Sequence, residues 1–319
     1  MHRSRSMLVC PPAQSAAACT VTGTSEKGSA NMMRKIVAIA DGGLGDPETL
    51  AAAGYLSRVH QAVSLIVPVY PDASADFVSL GQSLGAPMSQ EIFDVLKQAE
   101  RDSQTRVEVA AQAAAGSASV SFGAGAGPSR LEVAERDIHP WLAMAIELVL
   151  ADLLVVSHQA IKAKGSGIGG LLGEALLQCR TPALIIRGAP ESLAGLSVIA
   201  WDGSAPAGRA IQAAIPLLSA SERVMLLQCG PDADHHTKPA SGFERVMEYL
   251  ELQGVLGVEH KRIDNRQEGP ALLAETEKMG AGLLVAGAYG HSRLQQAIFG
   301  GATRSFLEPQ AGPHLLLAH

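Results

Sequence analysis

The chain has 319 residues, 31 acidic and 25 basic, for a formal net charge of −6, with 47% hydrophobic and only 4% aromatic residues. That hydrophobic fraction excludes a disordered chain, and mild acidity with few aromatic rings argues against a general nucleic-acid binder. No stretch reaches the roughly 20 apolar residues of a membrane span. The four cysteines, at 10, 19, 179 and 229, form neither a disulfide framework nor a CxxC pair, so a reducing, cytoplasmic setting is expected.

Residues 1–32 differ from the rest. The apolar patch Met7-Leu8-Val9-Cys10 is broken by Pro11-Pro12, too short for the roughly 7–15 apolar residues of a secretory core. A flexible extension is expected there, with folded sequence from Met33. Lys35–Ala40 then reads as a buried strand closed by Asp41-Gly42-Gly43, followed by a helix over Pro47–Gln61 and a strand over Val63–Val69. Further on come strands at Ala151–Ser157 and Ala183–Arg187, then a linker at Ala189–Gly195.

The pattern repeats. Leu196–Ala200 with Trp201-Asp202-Gly203-Ser204 echoes the first strand and turn, and an Ala-rich helix follows at Ala205–Ala220. Strands at Arg223–Cys229, Val258–Ile263, Ala281–Gly287 and His314–Ala318 alternate with helices at Ser241–Gln253, Gly269–Lys278 and Gly300–Leu307. The interval from Asp41 to Ser157 is 116 residues, against 85 from Asp202 to Gly287, so the first copy carries 31 extra residues. These are assigned to the stretches Pro71–Pro87 and Gly116–Arg130, rich in Gly, Ser, Ala and Pro, which are expected to be irregular. Alternating strands and helices imply two tandem doubly wound (Rossmann-like) α/β domains, 33–188 and 196–319, with parallel sheets. Ligands of such sheets sit beyond the strands' carboxyl ends, where Asp202 and Gly287 both fall.

At that rim the second copy contains Gly287-Ala288-Tyr289-Gly290, nine residues, then Gly300-Gly301-Ala302-Thr303. Gly287 and Gly290 allow sharp turns and close backbone approach, and the glycine pair opens a helix whose free N–H groups suit a phosphate. Thr303 offers a hydroxyl, Arg293 a cation for the terminal phosphates, and Asp202 an acceptor for a ribose hydroxyl or base edge. Backbone around Cys229 would flank the base. The Gly-x2-Gly-x9-Gly spacing after a strand reading GLLVAG and before LLLA, with the Ala-Trp-Asp-Gly-Ser start, resembles the universal stress protein family. The resemblance covers 196–319 well and 33–188 weakly, as in tandem members. It implies a triphosphate-binding loop at the glycines, Asp202 as the nucleotide-binding acid, Cys229 in the adenine pocket, and Ala286 and Tyr289 lining the nucleotide. It also implies that the terminal strands of the two copies pair as an intramolecular pseudo-dimer, which would protect both edges. Gly301 departs from the family's usual Ser or Thr after the third glycine.

The first copy departs further. Ser157 and Ala160 stand where Gly287 and Gly290 stand, and Leu171 follows Gly170, so this domain is expected to keep the fold but bind no nucleotide. Gly165-Ser166-Gly167-Ile168-Gly169-Gly170 formally satisfies GxGxxG but lacks an acid about 20 residues on at a strand end, and reads as a loop. His235-His236 reads as a solvated loop rather than a metal site, Ser157-His158 as strand-end chemistry, Asp41 as a turn residue and Cys229 as a small hydrophobe. The functional expectation is an ATP-binding (or AMP- or ADP-binding) stress-response protein with a sensing role, Mg²⁺ accompanying a triphosphate on phosphate oxygens and water. No general base or nucleophile pair is visible. A nucleotide-independent scaffold and a slow ATPase are the alternatives, and homodimerisation is left open.

Overall fold

The computed structural model describes residues 33–319 except 71, 85–88, 126, 136–139, 164–166, 230–241, 266 and 289–300. The first half comprises β1 (Lys35–Ala40), α1 (Asp46–His60), β2 (Val63–Pro68), α2 (Ala73–Leu84), α3 (Gln90–Ala118), β3 (Ser121–Phe122), β4 (Arg130–Val133), α4 (Pro140–Leu148), β5 (Leu153–Ser157), α5 (His158–Lys162), α6 (Ile168–Glu174) and β6 (Ala183–Ile186). A π-helical turn, Ala175–Cys179, extends α6, and a 3₁₀ turn, Pro190–Ala194, links the halves. The second half comprises β7 (Leu196–Ala200), α7 (Ala205–Leu218), β8 (Arg223–Cys229), α8 (Phe243–Leu252), β9 (Glu259–Ile263), α9 (Glu268–Lys278), β10 (Leu283–Gly287), α10 (Gly301–Leu307) and β11 (His314–Ala318).

Among the described residues eleven strands join one sheet in the order β3-β4-β2-β1-β5-β6-β11-β10-β7-β8-β9. Within each half the pairing is parallel. The chain reverses strand order between β1 and β5 and again between β7 and β10, the switch points of a doubly wound sheet. The halves meet where β6 runs antiparallel to β11, with Leu315 opposite Ile185, Leu316 opposite Leu184 and Leu317 opposite Ala183. This is the terminal-strand pairing implied by the sequence resemblance. Because strand side chains alternate faces, each apolar run feeds both sides of the sheet. Val37, Leu154, Ile185, Leu315 and Leu317 pack on one face with Met144 of α4, Leu272 of α9 and Phe306 of α10. Ile36, Leu153, Leu184 and Leu316 pack on the other, with Leu56 of α1, Ile211 of α7 and Leu250 of α8. Both cores therefore cross the seam without interruption.

The largest difference from the sequence reading is the crossover from β2 to β4. Pro71–Pro87, expected to be irregular, contains helix α2, and Gly116–Arg130 begins inside the last turn of the 29-residue α3. Burial against the sheet outweighs the composition here. Val107, Ala111, Ala114 and Ala115 of α3 lie against Ala38, Ala40, Ile66 and Leu131. At Gly54 a Cβ would meet Ala118 Cβ at 2.8 Å, so glycine and alanine let α1 and α3 cross closely.

Candidate functional site

The two switch points are built from the same turn. In each half the first strand ends in Asp-Gly, with the glycine at φ +77° (Gly42 and Gly203). The aspartate accepts a hydrogen bond from the N–H two residues on: Gly43 N donates to Asp41 Oδ1 at 2.9 Å, and Ser204 N to Asp202 Oδ1 at 2.9 Å. The helix then starts differently. In the second half Ser204 caps α7, its Oγ accepting from Ala207 N at 3.2 Å, with Pro206 in the first turn, a position that tolerates proline because its N–H is not needed. In the first half two more residues intervene, and Asp46 folds back under the turn.

The Asp46 side chain is 2% exposed and accepts from Asp41 N at 3.1 Å and Gly42 N at 2.9 Å. Burial outweighs these two bonds, and the neighbouring Asp41 adds to it, so the Asp46 carboxyl is pushed up to about 6. Arg106 of α3 braces the same turn, donating to the Gly42 carbonyl at 2.7 Å and to Ser103 Oγ at 2.8 Å. Sequence reading missed this carboxylate; its signal was an aspartate directly before a helix-opening proline. Among the described residues, no carboxylate stands in the place of Asp46 beside the Asp202 and Gly203 N–H groups.

The fourth strands also end differently. In the first half β5 runs straight into α5: Ser157 Oγ accepts from Ala160 N at 3.1 Å, and Ser157 N donates to Thr49 Oγ1 at 2.8 Å. A Cβ on Gly45 would overlap Ser157 Oγ and lie 2.8 Å from Ala160 N, so the loop after β1 is closed against α5. In the second half Gly287 ends β10 against the first turn of α7. A Cβ there would lie 2.5 Å from Ala207 N and 2.8 Å from the Pro206 carbonyl carbon. This close approach joins Asp202, Ser204 and Gly287 on one rim. Ala286 is buried in β10, Cys229 is half-buried at the end of β8, Ala302 is exposed and Thr303 is buried in α10. Gly301 opens α10. Tyr289, Gly290, Arg293 and Gly300 lie outside the described residues, as does His235-His236. The Cys229 thiol donates weakly to the Asn265 carbonyl at 3.6 Å. Burial, with the Glu268 carboxylate, pushes this thiol up, away from thiolate reactivity.

A cleft of about 490 Å³ does open in the first half, lined among others by Asp41, Glu48, His158, Lys162, Arg187 and, from the second half, Gln310. It lies where the first half's strand ends meet the α10–β11 loop. Acidic groups line its β1–α1 side and basic groups its α5–β6 side. Among the described residues no group of three or more His, Cys, Asp or Glu side chains is placed to hold a metal ion, and no helix is long and apolar enough to cross a membrane.

No protein-family model matches the chain, and no curated protein matches it by sequence. Solved structures do. A universal stress protein from Archaeoglobus fulgidus DSM 4304 superposes with a TM-score of 0.62 at 15% identity, covering 90% of this chain and 96% of that one. A functionally unknown protein from Pseudomonas aeruginosa PAO1 gives 0.51 at 14% identity, covering 90% and 92%. A putative universal stress protein from Pseudomonas aeruginosa UCBPP-PA14 gives 0.50 at 14% identity, covering 90% and 93%. With its two doubly wound halves joined through their last strands, the chain has the tandem fold of the universal stress proteins.

Proposed function

We propose that the second half binds an adenine nucleotide, ATP foremost, at the β7–β10 switch point, in a sensing rather than a catalytic role. The observation that carries this reading is the contrast between the two Asp-Gly turns. Asp46 acts as a built-in anion on the backbone N–H groups of Asp41 and Gly42, which marks this turn as a place where an acceptor oxygen is welcome. The matching turn at Asp202-Gly203 has the same backbone conformation and, among the described residues, no internal acceptor. A ligand oxygen can take that place, with the Asp202 carboxylate accepting from a ribose hydroxyl. Gly287, Gly290, Gly300, Gly301, Ala302 and Thr303 would surround the phosphates, Arg293 would face their outer oxygens, and Cys229, Ala286 and Tyr289 would line the rest of the nucleotide. A Mg²⁺ ion brought by the triphosphate would be held chiefly by phosphate oxygens and water. The first half is proposed to bind no nucleotide, its turn being filled by Asp46.

Calorimetric titration with ATP tests the reading on the full chain. Wild type should bind, Gly290→Val and Asp202→Ala should weaken binding at least tenfold, and Asp41→Ala should not change it. Denaturing the purified protein and weighing the released small molecules should yield AMP, ADP or ATP. Absence of ATP binding by the wild type would leave a scaffold role instead, and steady phosphate release lost in Asp202→Ala would make it an ATPase.

A further inference from the structure

Three of the buried titratable side chains gather at the seam between the halves. Arg187, at the end of β6, donates from Nη1 to the Pro313 carbonyl at 3.0 Å and from Nη2 to the Phe306 carbonyl. Its backbone N–H donates to His314 Nδ1 at 3.0 Å. That bond fixes the other ring nitrogen of His314 as the donor, to Ser192 Oγ at 2.7 Å and the Ala189 carbonyl at 3.1 Å in the linker. His158 Nε2, at the start of α5, donates to the Leu307 carbonyl at 2.7 Å. His158, Arg187 and His314 are 3%, 9% and 1% exposed. First-half donors thus hold the C-terminal end of α10 and the loop after it, where exposed carbonyls and the helix dipole welcome positive charge.

A neutral His314 fits this arrangement and a protonated one does not, because a proton on Nδ1 removes the acceptor that Arg187 N–H uses. We propose that this cluster is an acid-sensitive latch: protonation of His314 loosens the β6–β11 seam while each half keeps its own sheet. The charged groups facing the cluster come from several elements. Arg187 and Lys162 oppose a charged ring, whereas Glu191 favours one at His314, and Glu277 of α9 favours the Arg187 cation. Both glutamates are exposed, so water screens them. Burial is the leading cause that holds both histidines below the ordinary range and brings Arg187 down to about 10. His158 lines the 490 Å³ cleft, which gives protons a route to the seam.

The direction follows from linkage. A histidine held below its free value of about 6.5 supports the closed seam fully above that pH, and the support falls as pH drops below it. Between pH 7.5 and 5.5 the His314 ring can raise the opening constant up to about tenfold. Hydrogen exchange on the full chain at these two pH values, corrected for intrinsic rates, reads this directly. Amides of β6 and β11 should lose up to about tenfold in protection, and those of β1, β2, β7 and β8 much less. In His314→Asn, whose amide keeps a donor and an acceptor without titrating, the seam should respond no further to acid. If that change prevents folding, His314→Gln takes its place with the same expected result. His158→Gln, at a ring whose bond to the Leu307 carbonyl survives protonation, and His60→Gln, at a buried histidine of α1, should leave the response intact. Seam protection that ignores pH, falls only with that of the whole chain, or responds equally without His314 overturns the proposal.

Discussion

The turn after β1 and the turn after β7 have the same Asp-Gly sequence, the same positive φ and the same aspartate-to-N–H bond, yet they leave opposite environments. One is filled from within by the buried Asp46, and α5 closes against it. The other, among the described residues, has no internal acceptor beside the glycine end of β10. A repeated fold therefore does not repeat its turn: two added residues before a helix bring in an internal acceptor.

The sharpest way to test this contrast is at the two glycines that bring the fourth strand to the first turn. In Gly287→Ala every overlapping neighbour is backbone, so the expected loss is about 2–3 kcal/mol in chemical denaturation, at the upper end of overpacking costs. In Gly45→Ala the Cβ would meet Ala160 N at 2.8 Å and Ala160 Cβ at 2.9 Å as well as the Ser157 hydroxyl, so a loss of similar size is expected. A much smaller loss at Gly45 would mean that the first rim is the looser of the two.

Asp46 supplies the next test. Its carboxyl is raised above its unfolded value, so keeping it ionised costs stability above about pH 6, and that cost disappears as pH falls toward 4. A shift from 3.8 to about 6 corresponds to something on the order of 2–3 kcal/mol at neutral pH. Asp46→Asn keeps one acceptor and removes the charge, but leaves one N–H of the turn less well paired. We expect a net gain of about 1 kcal/mol at pH 7.5 that vanishes by pH 4, measured as the denaturation midpoint at each pH. A gain that persists unchanged at pH 4 would show that the Asp46 carboxyl is not raised above its unfolded value. The smallest effect belongs to the cap: Ser204→Ala should cost about 1 kcal/mol, and any larger loss would tie α7 more closely to the rim than its single capping bond does.

Much of this architecture is legible in the residues. Buried parallel strands are near-continuous apolar runs, and Lys35–Ala40, Leu283–Gly287 and His314–Ala318 announce themselves that way. Asp202 and Gly287 are legible as rim residues because both stand at the end of such a run. What escapes is whatever depends on partners distant in sequence. Helix α2 and the end of α3 are hidden in Gly-, Ser- and Ala-rich stretches whose weak local preference is overruled by packing. The role of Asp46 is invisible until the chain folds back on its own turn. Arg187 and His314, 127 residues apart, meet only at the seam, and a single sequence carries no mark of that pairing.

The seam also makes each half a fixed part of the other's surroundings. The β6–β11 pairing carries both hydrophobic cores across from one half to the other. Because the short Pro190–Ala194 turn tethers the halves, they meet at an effective concentration of roughly millimolar or above, so the seam forms within each chain at any dilution. Association that free subunits would have to win by affinity is here supplied by covalent tethering. Each half then serves as a permanent cover for the β6 or β11 edge that the other would otherwise expose.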